Sequence, residues 1–336
     1  MFQHPFKLTK RIGLVLIIIF WLFFIFSWAP VYEPHEIEHG VTFSKKQSQA
    51  LGLDWKANYL ALFDEMGVKK IRLAAYWDDI QPEVGIYNWE DLDWQIDEAE
   101  KRNAEIILVM GNRVPRWPEC HIPDWADAIS KEDREKATLE YITETISRYR
   151  LRPSITYWQI ENEPFLKYFG ICPEFDVDFL DTEIALAKSL DSRPIIITDS
   201  GELSAWIPAA KRGDIFGSTL YLNTYSRTLD HYIRYPISPI FFRVKKNISN
   251  LFSHPHDWIL IEVQGEPWGK DAFQNLPQAE RDLTMTPEKF KEIQEFSRQT
   301  GFRTFYWWGV EYWYWEKARG NNFYWEEGKR MFNHQK

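Results

Sequence analysis

Two acidic residues follow apolar runs in a way that suits acid–base chemistry. The run Tyr157-Trp158-Gln159-Ile160 leads into Glu161-Asn162-Glu163-Pro164, and Ile259-Leu260-Ile261 leads into Glu262. Glu163 and Glu262 lie 99 residues apart, or three strand–helix units. Two carboxyl groups that flank one bond divide the work of glycoside cleavage. One is protonated and assists the leaving oxygen; the other is ionised and attacks the anomeric carbon. At about 5–5.5 Å apart they act through a covalent intermediate with retention of configuration. Glu266 stands four residues beyond Glu262, also ahead of a tryptophan, and is the alternative nucleophile.

Such residues need strands to carry them. Short apolar runs near 40–44, 70–75, 105–111, 154–161, 194–198, 215–220, 258–262 and 303–308 read as strands. Amphipathic stretches between them read as helices, most clearly 131–149, where Ala137, Tyr141, Ile142, Thr145 and Ile146 share a stripe. Thr286-Pro287-Glu288 is a helix start. Eight strands alternating with helices predict a (β/α)8 TIM barrel, with reactive residues at the carboxyl ends of the strands. An open doubly wound sheet is the second choice; it usually shows a glycine-rich phosphate turn, which this sequence lacks. The stretch 225–257 exceeds a plain connection and reads as a crossover helix or an added membrane-proximal surface.

The chain of 336 residues carries 40 basic and 49 acidic residues, a net charge of −9 that speaks against a nucleic-acid partner. Residues 1–30 hold Lys7, Lys10 and Arg11 and no acid, and residues 12–29 are uncharged. The sequence divides into a cytoplasmic basic tail (1–11), a single-pass transmembrane signal anchor (12–32) and a barrel (33–336) outside the cytoplasm. Cleavage of the segment as a signal peptide, releasing a secreted form, is the other reading, though Ser27-Trp28-Ala29-Pro30 is a poor cleavage site. Cys120 and Cys172 follow the third and fourth strands, neighbours in a barrel, and an oxidising compartment lets them pair. No His-Glu-x-x-His, Cys-x-x-Cys or Walker motif occurs, so no metal or cofactor is expected.

Asn162-Glu163-Pro164 after a buried strand resembles the acid/base motif of the clan A glycoside hydrolases, which include the cellulase-like family 5 and the β-galactosidase-like family 42. The resemblance runs from about residue 40 onward. It includes Arg72, the stretch Tyr76-Trp77-Asp78-Asp79-Ile80-Gln81-Pro82-Glu83 with Gly85-Ile86-Tyr87-Asn88-Trp89, Ser218-Thr219-Leu220-Tyr221, and Tyr306-Trp307-Trp308-Gly309. It implies a retaining glycosidase acting on an oligosaccharide, polysaccharide or glycoside. Glu163 would be the acid/base and Glu262 the nucleophile, with Arg72 and Tyr221 beside it. Asn162 would meet the sugar 2-hydroxyl and Trp308 would floor the site. The third strand ends Met110-Gly111-Asn112-Arg113, without the histidine of many family 5 members, so the resemblance reaches the clan and not one family.

Aromatic residues are abundant (17 Trp, 16 Tyr and 23 Phe), and flat rings suit the C–H faces of sugars. Trp77, Trp117, Trp206, Trp268, Trp308 and Trp313 fall near strand ends and read either as sugar platforms or as core. Asn112, Trp268 and Glu311 join the candidate substrate-binding residues; for Glu311 a solvated loop position is the other reading. Two further functions stay open: a non-catalytic carbohydrate-binding or envelope protein on the same barrel, and a transglycosylase using the same residues.

Overall fold

The computed structural model describes residues 12–21 and 36–333. Ten strands follow in chain order: β1 (Glu38–Phe43), β2 (Lys70–Ala74), β3 (Glu105–Met110), β4 (Ile155–Ile160), β5 (Ile195–Asp199), β6 (Ile215–Leu220), β7 (Asn223–Ser226), β8 (His231–Arg234), β9 (Asp257–Gln264) and β10 (Thr304–Trp308). Eight of them close a parallel barrel in the order β1-β10-β9-β6-β5-β4-β3-β2, while β7 and β8 form a separate antiparallel hairpin. β1 pairs with both β2 and β10, which excludes the open sheet. The seventh and eighth barrel strands of the sequence reading are thus β9 and β10.

The barrel strands are apolar because both faces are covered, the inner by packed side chains and the outer by helices. The helix Lys131–Tyr149 buries Tyr141, Ile142, Thr145 and Ile146 as the stripe predicts, but Thr138 takes the buried place expected for Ala137. Its Tyr141 hydroxyl donates to the carbonyl of Ala75 at the end of β2. Thr286 caps the helix Pro287–Gln299 by accepting from the Lys289 N–H. The long stretch 225–257 resolves into the β7–β8 hairpin and a crossover helix, Pro239–Asn250, which buries Ile240 and Phe242. Some helices escape the sequence pattern. Lys45–Ala50 has no apolar stripe, Val310–Ala318 is rich in Trp and Tyr directly after β10, and Trp77–Ile80, Asp124–Asp127 and Gln278–Arg281 are only four residues long.

Residues 12–21 are helical, and among the described residues no helix is long and apolar enough to cross a membrane. The basic tail and residues 22–32 of the expected anchor lie outside the described residues.

Candidate active site

At the end of β4 the chain turns through two left-handed residues, Glu161 (φ 56°) and Glu163 (φ 44°), with Asn162 between them. Non-glycine residues in this region carry a conformational cost and persist where surrounding bonds hold them. Here the Glu161 carboxylate accepts the backbone N–H groups of Asn112 (2.7 Å) and Arg113 (2.6 Å). Asn162 N–H donates to the Arg113 carbonyl, and Glu163 N–H donates to Thr198 Oγ1 on β5. Gly111 (φ +124°) leaves room for this, since a Cβ there would lie 2.4 Å from Glu161 Oε1. Glu163 is thereby fixed with its side chain in the barrel mouth, 6 % exposed, where Thr219 Oγ1 on β6 donates to its Oε1 at 3.2 Å. Burial, reinforced by the charge of Glu262, holds its carboxyl well above the usual carboxylate range.

Glu262 projects from β9 and is equally enclosed. Its Oε1 accepts Arg72 Nη1 at 2.7 Å, and its Oε2 accepts the Tyr221 hydroxyl at 3.0 Å. Arg72, fully buried on β2, also donates through Nε to Gln159 Oε1 (2.9 Å) and through Nη2 to Asn162 Oδ1 (2.7 Å). One guanidinium therefore sets the position of Glu262 and of the residue preceding Glu163. Glu163 and Glu262 line one cavity of about 930 Å3, a size that suits a ligand site. Among the described residues no cluster of three or more His, Cys, Asp or Glu side chains could hold a metal ion.

The other candidates divide. Trp308 and Trp268 line the cavity, as does Trp117. Trp77, Trp206 and Trp313 are wholly buried in the core. Glu266 also reaches the cavity wall, but its Oε1 accepts both Arg116 Nη1 (2.5 Å) and Trp308 Nε1 (2.7 Å). That engagement fixes the Trp308 indole, while Glu266 Oε2 has no hydrogen-bond partner among the described residues; Glu262 and Glu266 line the same cavity. Two expectations need correction. Glu311 neither contacts the cavity nor sits on a solvated loop. It is fully buried at the start of the helix Val310–Ala318, where it accepts from Ser44 N–H and Arg116 Nη2. Asn112 also lies outside the cavity lining; past the left-handed Gly111 its Oδ1 accepts from Thr138 of the helix Lys131–Tyr149.

Sequence reasoning missed Arg116 and Glu119. Both are buried, both line the cavity, and both adopt positive φ (95° and 76°) in the loop after β3. Arg116 bridges Glu266 and Glu311 and lies 4.1 Å from the Trp308 ring centroid. Glu119 accepts from Asn162 Nδ2 at 3.3 Å; burial, with the charge of Glu262, pushes its carboxyl up while Arg113 pulls it down. This loop is tied to the one after β4 by a Cys120–Cys172 disulfide, with the Cα atoms 5.2 Å apart. The two cysteines were the available signal: residues beside them had to share the mouth.

Residues 49–181 match the family model described as beta-galactosidase, the glycoside hydrolase family 42 model. The match covers under half of the chain. It includes Arg72, Asn162 and Glu163 and ends before Tyr221 and Glu262. Beta-galactosidase BgaA of Clostridium cellulovorans is 27 % identical over 263 residues, which cover 70 % of this chain and 38 % of that protein. The GH5_18 protein of Streptomyces cattleya, solved in complex with GlcNAc, superposes with a TM-score of 0.56 at 13 % identity, covering 81 % of this chain and 70 % of that one. These matches support the resemblance to the clan A glycoside hydrolases. A further solved structure, exo-beta-1,4-mannosidase Op5Man5 from Opitutaceae bacterium strain TAV5, superposes at TM-score 0.53 and 15 % identity, covering 81 % of this chain and 52 % of that one. These structural likenesses are likenesses of fold. The chain spans well under half the length of BgaA.

Proposed function

We propose that this barrel hydrolyses β-glycosidic bonds with retention of configuration, using Glu163 as acid/base and Glu262 as nucleophile. The observation that carries the reading is one cavity holding both groups in unlike surroundings. Glu262 faces the Arg72 guanidinium and the Tyr221 hydroxyl, whereas Glu163 is desolvated beside the charge of Glu262. A carboxyl group so placed holds its proton more tightly than an ordinary carboxyl and can donate it. In the first step a lone pair of Glu262 forms a bond to the anomeric carbon. The bond to the leaving oxygen breaks, and that oxygen takes the proton of Glu163. Once glycosylated, Glu262 no longer carries charge, so the anionic form of Glu163 is favoured. Glu163 then accepts a proton from water as the water oxygen attacks the anomeric carbon and releases Glu262.

A cavity open to both carboxyl groups also favours catalysis over a purely binding role. We place the barrel outside the cytoplasm, tethered through residues 12–32. The basic flank, the uncharged stretch, the disulfide and the exposed apolar side chains of the helical residues 12–21, such as Leu14 (59 %) and Phe20 (64 %), support that placement. Partition of the full-length chain into the soluble fraction on cell fractionation would overturn the tether.

The enzymatic test is a panel of 4-nitrophenyl β-glycosides, including the galactoside, mannoside and xyloside. Turnover by the wild type is expected. Glu262→Ala should lose it, and added azide should yield the α-glycosyl azide. Full activity in Glu262→Ala overturns the mechanism.

A further inference from the structure

Aromatic side chains run from the nucleophile to the protein surface without a break. The Tyr221 ring, whose hydroxyl bonds Glu262, lies 5.1 Å from the Trp268 ring, centroid to centroid. Trp268 lies 5.6 Å from Phe169, and Phe169 lies 6.0 Å from Trp117. All four line the same cavity. Each step is comparable with the breadth of a pyranose ring. At the outer end Trp117 is 47 % exposed, and the Arg227 guanidinium, from the β7–β8 turn on the other side of the mouth, stands 4.7 Å from its ring centroid.

The outer part of this row is held rigidly. Trp117 belongs to the loop after β3, and Phe169 to the loop after β4. Beyond the Cys120–Cys172 disulfide, Ile171 N–H donates to the Pro118 carbonyl at 2.9 Å. Gly170 sits so close that a Cβ on it would lie 2.7 Å from Glu119 Cβ. A platform fixed in advance loses little conformational freedom when a ligand settles on it.

A single sugar at the reacting carboxyl groups would be served by Glu163, Glu262 and Trp308, and would leave Phe169 and the half-exposed Trp117 with no sugar against them. Half-exposed indole at the rim of a cavity is apolar surface that gains by being covered, and the C–H face of a pyranose covers it while its hydroxyls stay in water. We infer that the site takes an oligosaccharide chain, whose outer units stack on Trp268, Phe169 and Trp117 across the two disulfide-tied loops. The inference rests on the glycosidase reading for the position of the bond cleaved, and on the aromatic row for the length of the substrate.

Calorimetry on the full-length Glu262→Gln protein, which binds without turnover, tests it. The probes are β-1,4-linked galactose, mannose and xylose series of one to five units. In the series that binds, affinity should rise about three- to tenfold for each of the first added units and then level off. In Glu262→Gln/Trp117→Ala the last increment should vanish, and in Glu262→Gln/Phe169→Ala the rise should stop one unit earlier. Melting curves establish that each variant is folded. Affinity independent of length in every series, absence of binding in all three, or an undiminished rise in both aromatic variants overturns the inference. Its failure is separable from that of the glycosidase reading. Wild-type turnover of aryl glycosides with length-independent binding sinks only the chain-length claim. Length-dependent binding with no wild-type turnover sinks only the hydrolase.

Discussion

Arg72 and Glu262 form a buried ion pair, Nη1 to Oε1 at 2.7 Å, across the barrel from β2 to β9. The arginine side chain is wholly inaccessible and the carboxylate nearly so. A buried charge without its partner is costly, so each of these residues requires the other. Arg72→Lys tests the fork as distinct from the charge. An ammonium cannot serve Glu262, Asn162 and Gln159 together from one plane. Losing even one charge-assisted bond at about 1.5–3 kcal/mol corresponds to a fall in kcat of about 10- to 100-fold. A carbonyl oxygen of Gln159 left without the Arg72 Nε donor should also lower the melting temperature. Turnover of the aryl glycosides and a thermal melt check both, and a variant unchanged in either would contradict the coupling.

Tyr221→Phe separates hydrogen bonding from packing. The ring contact with Trp268 survives the change, and only the donor to Glu262 Oε2 is lost. Burial and the neighbouring carboxylates push the Tyr221 hydroxyl well up, so it remains a donor throughout the range in which an enzyme is assayed. Activity should fall about 10- to 100-fold at every pH, with the melting temperature little altered. A loss confined to alkaline pH would show that the hydroxyl acts by ionising instead.

The barrel and the shared cavity of Glu163 and Glu262 are legible in the sequence because each signal is local. Apolar runs mark the strands, and Asn162-Glu163-Pro164 and Glu262 stand directly at their ends. What escaped depends on chain direction in loops. Arg116 and Glu119 enter the mouth through left-handed residues that are not glycine, and nothing in their side chains announces that conformation. Glu311 was misread because Trp308-Gly309 ends the strand and a helix starts at once, which turns its carboxylate beneath the site toward Arg116. The helix Lys45–Ala50 is polar throughout. It forms because Ser44 caps it and because Lys45 and Lys46 pair with Asp78, Asp79 and Asp91, partners far away in sequence.

Breaking the Cys120–Cys172 bond should weaken the mouth before the barrel. The bond joins cysteines 52 residues apart, for which the chain-entropy account gives a stabilisation of about 4 kcal/mol. Cys120→Ser/Cys172→Ser is therefore expected to melt at a lower temperature. Amide exchange should quicken first at 113–121 and 166–172, while β4 and β9 stay protected. Uniform loss of protection across the strands would show that the bond supports the whole fold.

A second carboxyl pair, Glu161 with Glu183, gives the fold a pH dependence of its own. Glu183 is 1 % exposed on the helix Val177–Leu190, and its side chain hydrogen-bonds Glu161. Glu161 already accepts two backbone N–H groups, so the proton of the pair belongs on Glu183, whose carboxyl burial and the charge of Glu161 hold well above the usual range. The folded state thus keeps a proton that the unfolded chain releases above about pH 4.3. Stability from this group is complete below that pH and is lost as pH rises toward the raised value, with a slope of about 1.4 kcal/mol per pH unit. Glu183→Gln retains a donor for Glu161 and cannot ionise, so urea unfolding of the variant should show a shallower decline from pH 5 to 8. Some slope should remain from Asp199 and Glu202, whose carboxyls burial pushes up to about 6 and about 7, and from the raised carboxyls of Glu163 and Glu119. Parallel stability curves for variant and wild type would show that the proton is not held at Glu183.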